Sequence, residues 1–302
     1  MPNVTVRLAG LKLRNPTVLA SGFLGETGPS LVRVWKAGAG AVVSKSISRE
    51  PRLGYANPTI HEADGSLLNA VGLPNPGVKA YAAEARHALK AGVTLIASVF
   101  GSTPDDYARV AAALEKAGAH AVEMNLSCPH VEGTGSEIAQ SEEAVRTFVA
   151  AVKAKTHVPV FAKLSPNVAE IAPFAVAAEE GGADGITAIN TVKAMAISPE
   201  VRRPVLAHGT GGLSGPAVKP VGVRCVYEIY DAVDIPILGV GGVATGLDAV
   251  EYLMAGASAV QVGTAILTRG VEVFRKVTEE IAAFLEAEGY RNVREVVGAA
   301  HG

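Results

Sequence analysis

Short runs of uninterrupted apolar residues alternate along the chain with longer stretches whose apolar positions recur every three to four residues. The runs are Thr17–Gly22, Ala41–Ser46, Thr94–Gly101, Ala121–Cys128, Pro159–Ser165, Gly185–Thr191, Pro236–Gly242 and Ala259–Thr264. They are continuous rather than alternating in polarity, as expected of strands covered on both faces of a parallel sheet. The intervening stretches read as helices at about 29–37, 78–90, 104–117, 142–155, 169–180, 217–232, 246–255 and 271–288. Gly38, Gly92, Gly118 and Gly256 follow four of them at the position where a left-handed residue ends a helix. Eight strands alternating with eight helices predict an α/β protein of the (β/α)8 TIM-barrel class, with a doubly wound open sheet as the alternative. Val4–Leu13 reads as a small hairpin around Ala9-Gly10, suited to plugging the lower end of the barrel.

Three connections after strands are long: Ile47–Gly77, Pro129–Ser141 and Val192–Gly215. All are rich in Gly, Pro and Ser, and loops of that length in a compact domain are usually lids or binding elements. They leave the C-terminal ends of strands, the face on which barrels carry their active sites. No shift of composition divides the chain, so residues 1–302 are expected to form one domain.

Composition narrows the function. With 49% hydrophobic and 19% charged residues the chain can bury a large core. Its 27 basic and 29 acidic residues give a net charge of −2, which offers neither nucleic acid nor an anionic membrane a basic surface. The longest stretch free of Asp, Glu, Lys and Arg, Tyr252–Thr268, is 17 residues long and interrupted by Gly, Ser, Gln and Thr, too short and too polar for a transmembrane helix. The opening residues lack the apolar core of a signal peptide, so a cytoplasmic protein is expected. Two cysteines alone hold neither an iron–sulfur cluster nor a four-cysteine zinc site, and the seven histidines show no metal spacing, so no metal is expected.

The residues that close the strands are chemically informative: Ser21, Lys45-Ser46, Ser98, Asn125 with Cys128, Lys163, Asn190-Thr191, Gly241-Gly242 and Gly263-Thr264. Two lysines, two asparagines and a cysteine at one barrel mouth are costly to bury without a ligand rich in oxygen. The glycine pairs after the seventh and eighth strands occupy the place where barrels bind phosphate, with backbone N–H groups facing the anion. Cys128, at a strand end, is a candidate base or nucleophile. Cys225, within a helical stretch, reads as a buried small apolar residue. His61 and His208 read as polar loop residues.

Longer motifs carry a family resemblance. Asn125-Leu126-Ser127-Cys128-Pro129, the segment Asn69–Gly77 and Ala162-Lys163-Leu164-Ser165-Pro166-Asn167 resemble dihydroorotate dehydrogenase signatures. The run Gly211–Pro220 resembles the class 1B catalytic subunit in particular, and the similarity spans essentially the whole chain. The resemblance implies an FMN-binding barrel that oxidises (S)-dihydroorotate to orotate in pyrimidine (UMP) synthesis. By it, Cys128 removes the C5 proton while hydride leaves C6 for FMN N5. Lys45, Asn69, Ala70, Val71, Gly72, Leu73, Asn125, Asn190 and Thr191 would bind substrate. Ser21, Lys45, Ser46, Ser98, Asn125, Lys163, Ile189 and Gly215 would line the FMN site, and Gly241, Gly242, Gly263 and Thr264 would hold its phosphate. The class also implies a partner subunit carrying FAD and a 2Fe-2S iron–sulfur cluster, which passes electrons to NAD, around a homodimer core within a heterotetramer. One position departs from the pattern: His130 stands where asparagine is usual, which makes the run similar to dihydropyrimidine dehydrogenases acting on uracil and thymine. From another class, Lys163 alone would suit a Schiff-base aldolase.

Overall fold

The computed structural model describes residues 2–126 and 141–302. Cys128, His130 and all of the Pro129–Ser141 connection except Ser141 lie outside the described residues.

Eight parallel strands close into a barrel: β3 (Thr17–Leu19), β4 (Ala41–Val43), β7 (Leu95–Val99), β8 (Ala121–Asn125), β9 (Val160–Lys163), β10 (Gly185–Ala188), β15 (Ile237–Val240) and β16 (Ala257–Val262). Seven lie within an expected apolar run and are three residues shorter, because the ends of the runs belong to loops, while β16 begins two residues before its run. The barrel is ringed by α1 (Gly28–Lys36), α2 (Val78–Lys90), α3 (Pro104–Lys116), α4 (Glu142–Lys153), α5 (Ala172–Glu180), α6 (Lys219–Tyr230), α7 (Gly246–Met254) and α9 (Val273–Ala287). Thr27, Thr103, Ser141 and Thr245 cap four of these helices by accepting a backbone N–H from the first turn. Gly38, Gly92, Gly118 and Gly256 all have positive φ at the opposite ends. A five-residue helix, α8 (Ala265–Arg269), was not expected; it is too short to leave a periodic pattern.

The strands alternate between the helices and the barrel interior. Val42, Leu95, Val122, Val160 and Ile186 belong to the large core shared with the helices. Ala41, Val43, Ile96, Ala121, Phe161, Leu238 and Ala259 face inward and form a separate apolar layer. The hairpin β1 (Val6–Leu8) and β2 (Leu11–Leu13) completes that layer, with Leu8 and Leu13 fully buried in it. Burial of each leucine contributes about 2 kcal/mol. The hairpin therefore closes the lower end of the barrel.

Over the upper end the expectation of loops needs correction. The connections Ile47–Gly77 and Val192–Gly215 contain strands β5 (Ile60–Ala63), β6 (Ser66–Asn69), β11 (Val192–Ala194) and β14 (Gly211–Ser214), joined in one antiparallel sheet in the order β11-β14-β6-β5. Asn69 pairs with Gly212 and Leu68 with Leu213. A two-stranded ladder, β12 (Ile197–Ser198) with β13 (Arg203–Pro204), extends the second connection. The β6–β14 pairing joins residues 143 apart and leaves no local trace, whereas β5–β6 is a hairpin around Asp64-Gly65 within a segment expected to be loop.

Candidate active site

A cavity of about 720 Å³ lies at the C-terminal ends of the barrel strands, beneath the β5–β6–β14–β11 sheet. Of the residues expected at the site, Ser21, Lys45, Ser46, Asn125 and Lys163 line it from the barrel, and Ile189, Asn190 and Thr191 from the turn after β10. Asn69, Val71, Gly72, Leu73 and Gly215 line it from the upper sheet and its flanks. Gly241, Gly242, Gly263 and Thr264 close one end. Two expected residues do not reach it. Ala70 is buried with Leu68 and Leu206 inside the upper sheet. Ser98 is fully buried behind Ser46, its Oγ 2.9 Å from the Ser46 Oγ.

A hydrogen-bonded chain crosses the barrel side of the cavity. The Oγ atoms of Ser21 and Ser46 are 3.1 Å apart. Asn125 Nδ2 donates to Ser46 Oγ at 3.2 Å, and Asn190 Nδ2 donates to Asn125 Oδ1 at 3.2 Å. Asn190 Oδ1 in turn accepts the Thr191 N–H at 2.8 Å. Both asparagines are thus held in one orientation, and Tyr107 fixes the Asn125 backbone by donating to its carbonyl at 2.6 Å. Lys45 is buried to 7% exposure, with Nζ 3.6 Å from the exposed Glu26 carboxylate. Lys163, 5% exposed, donates to Gln261 Oε1 at 3.2 Å and lies 3.5 Å from Glu123 Oε1.

The glycine end is closely packed. Gly242 has φ of +72°, and a Cβ placed on it would stand 2.8 Å from the Gly215 carbonyl oxygen. No side chain fits there, so the two backbones meet in van der Waals contact and leave the N–H side of the turn to the cavity. Among the described residues, Gly242 and Thr264 donate no backbone hydrogen bond. Tyr252 braces the turn by donating its hydroxyl to Gly241 O at 2.8 Å; burial holds that phenol well above its usual pKa, so it stays a donor.

The turn continues into α7 through Asp248, whose Oδ2 accepts the backbone N–H groups of Ala244 and Thr245 at 3.1 and 2.8 Å, while Oδ1 pairs with Lys219 Nζ at 2.8 Å. Burial raises this carboxyl's pKa, but the bonds from Lys219, Thr245 and Ala244 outweigh it and hold the group below the usual carboxylate value. A depressed pKa in the folded state stabilises the fold above the unfolded value, near 4, and loses that contribution as pH falls through the folded value. Asp248→Asn is therefore expected to cost about 1–2 kcal/mol at pH 7. Urea unfolding checks this: the gap between wild type and variant is full at pH 7 and shrinks below pH of about 4.

Gln261 lines the floor, with Glu123 and Thr187 hydrogen-bonded beneath it, and none of the three was foreseen. A Glu within Ala-Val-Glu-Met-Asn and a Gln within Ala-Val-Gln-Val are polar residues at inward positions of apolar strands, a signal that a list of strand-closing residues passes over. Ser214 was also missed; its Oγ is 2.9 Å from Thr264 Oγ1. Cys225 is fully buried as expected, and burial pushes its thiol up to about 11. Iodoacetamide at pH 8 is expected to leave Cys225 unmodified in the native protein and to alkylate it only after unfolding, as peptide mass mapping would show.

Fold and site together define a (β/α)8-barrel protein with a roofed, lysine- and asparagine-lined cavity ending in an anion-suited glycine turn. Residues 3–285 match the family described as "Dihydroorotate dehydrogenase", and the chain belongs to this family of oxidoreductases. It is 51% identical over 297 residues to "Dihydroorotate dehydrogenase B (NAD(+)), catalytic subunit" of Pyrococcus abyssi, covering 98% of each chain. To the protein of the same name in Methanosarcina acetivorans it is 50% identical over 296 residues, 97% of this chain and 95% of the relative. A crystal structure of DHODH in complex with ferulenol from Eimeria tenella superposes with a TM-score of 0.87 at 26% identity, covering 100% of this chain and 89% of the other. Among the described residues no helix is long and apolar enough to cross a membrane.

Proposed function

We propose that the chain is the FMN-binding catalytic subunit of an NAD-linked dihydroorotate dehydrogenase, oxidising (S)-dihydroorotate to orotate in pyrimidine (UMP) synthesis. The observation that carries this reading is the convergence of Lys45, Lys163, Asn125 and Asn190 on one cavity that ends at Gly241-Gly242 and Gly263-Thr264, in a chain of this family.

The residues present suit FMN. The cavity volume of about 720 Å³ falls in the range of cofactor sites. The Gly242–Gly215 contact gives a side-chain-free cradle at one end, where a phosphate would meet backbone N–H groups. On the cavity floor Lys163 places a cation where negative charge would gather on a reduced ring. Bound there, FMN supplies a two-electron acceptor for the hydride leaving substrate C6.

The chain's own residues do the rest. Lys45 meets the substrate carboxylate, and Asn69, Asn125 and Asn190 offer amide groups that both donate and accept, matching the ring amides. The fixed orientation of Asn125 and Asn190 means the substrate pays little to order them. The Val71-Gly72-Leu73 segment and the upper sheet cover part of the site. Cys128 takes the proton from C5, beside the ring carbonyl.

Electrons leave through a partner subunit carrying FAD and a 2Fe-2S cluster, which two cysteines in this chain do not supply. The whole chain acts as one FMN-binding unit in the cytoplasm, as the homodimer core of a heterotetramer. The barrel alone, loaded with FMN, is expected to form orotate from dihydroorotate with an artificial electron acceptor and to leave dihydrouracil untouched. Turnover of dihydrouracil with none of dihydroorotate would make the substrate an uncarboxylated dihydropyrimidine and His130 the reason.

A further inference from the structure

Directly under the cavity, one inward position on each of four strands carries a polar side chain: Glu123 on β8, Lys163 on β9, Thr187 on β10 and Gln261 on β16. Glu123 is fully buried. Its Oε2 accepts from Gln261 Nε2 at 2.5 Å and from Thr187 Oγ1 at 3.1 Å. Its Oε1 lies 3.5 Å from Lys163 Nζ and accepts no hydrogen bond among the described residues. Gln261 joins the two charges a second time, because its Oε1 also accepts from Lys163 Nζ at 3.2 Å. With its oxygen on the cation and its nitrogen on the anion, the Gln261 amide has one workable orientation.

Packing does not require these charges. The inward layer immediately below is apolar, built from Ile96, Ala121, Phe161 and Leu238, and a carboxylate sealed above it is costly unless it is paired and hydrogen-bonded. Lys163 and Gln261 line the cavity, whereas Glu123 and Thr187 do not. The charge nearest the ligand is therefore positive, and its counter-charge sits one row deeper.

We propose that Glu123 is a positioning residue for the cofactor: it anchors the Lys163 ammonium at the cavity floor, directly and through Gln261, and offsets part of its charge. This rests on the flavin reading given above. Reduction adds negative charge to the flavin ring, and a nearby cation favours the reduced form. A carboxylate 3.5 Å behind that cation weakens the effect, so the pair, rather than the lysine alone, sets the flavin's reduction potential.

The test is equilibrium reduction of the FMN-loaded chain against a reference dye, followed by absorbance, which reads potential and not turnover. Glu123→Gln keeps the side-chain volume and removes the negative charge. It is expected to shift the reduction equilibrium at least tenfold toward reduced flavin, about 30 mV for a two-electron couple. Lys163→Met shifts it the opposite way. If Glu123→Gln does not fold, Thr187→Val serves in its place. It deletes one donor to the carboxylate, leaves its charge less dispersed, and is expected to lower the midpoint by a factor of two or more in the equilibrium. A merely structural Glu123 predicts a lower melting temperature with the wild-type midpoint. That result, in a protein whose wild type binds FMN and is reduced by dihydroorotate, overturns the positioning role alone. A wild type that takes up no FMN overturns the flavin reading and this role with it.

Discussion

Replacing Cys128 by alanine is expected to slow reduction of the bound flavin by dihydroorotate about 10²–10⁴-fold at neutral pH, the usual contribution of a positioned general base. The C5 proton lies beside a carbonyl, but it is not acidic enough to leave without a base while hydride departs from the neighbouring carbon. A thiol, with an ordinary pKa near 8.5, is partly ionised at neutral pH and suits the task. Cys128→Ser keeps the shape but offers a hydroxyl that ionises far higher. Its rate is expected to be low at pH 7 and to recover as pH rises, whereas the alanine variant stays slow throughout. FMN content should be unchanged in both. Stopped-flow traces of flavin absorbance check this, and a wild-type rate in the alanine variant would remove Cys128 from the mechanism.

Gly242→Val is expected to weaken FMN binding at least a hundredfold, about 2.7 kcal/mol. The new Cβ would meet the Gly215 carbonyl oxygen at 2.8 Å and the Lys219 Cβ at 2.8 Å, so backbone on both sides must move. The φ of +72° adds strain that a β-branched residue tolerates poorly. Both shifts fall on the turn that would cradle the phosphate, while the barrel strands keep their pairing. The variant should be purified colourless with a wild-type far-ultraviolet spectrum, and titration with FMN should show the weakened binding. Unchanged affinity would move the phosphate away from Gly241-Gly242.

The barrel was legible because its signal is local. Each strand is a compact apolar run covered on both faces, and each helix a periodic stretch, several ended by a glycine that turns the chain left-handed. The strand-end residues were legible for the same reason, since Lys45, Asn125, Lys163 and Asn190 interrupt or close those runs. The upper sheet was not, because its central pairing joins Asn69 with Gly212 only through the closed barrel; the β5–β6 hairpin around Asp64-Gly65 is a local signal that the loop reading passes over. Glu123, Thr187 and Gln261 were hidden differently. Each sits inside an apolar run at an inward position, and only the two-residue period of the closed barrel sets them in one layer with Lys163. Ala70 and Ser98 show the converse: they lie in the expected segments, but Ala70 is buried with Leu68 and Leu206 and Ser98 stands behind Ser46, so neither lines the cavity. Cys128 lies outside the described residues, and its role is proposed from its place in Asn-Leu-Ser-Cys-Pro.

The central claim is that this cavity holds FMN and passes it two electrons from dihydroorotate. It is tested most directly by loading the purified chain with FMN, excluding oxygen, and adding dihydroorotate while recording the visible spectrum. The account predicts that the flavin band bleaches, with one orotate formed for each flavin reduced. A flavin band that persists with excess dihydroorotate, in a protein shown to hold FMN, would contradict it.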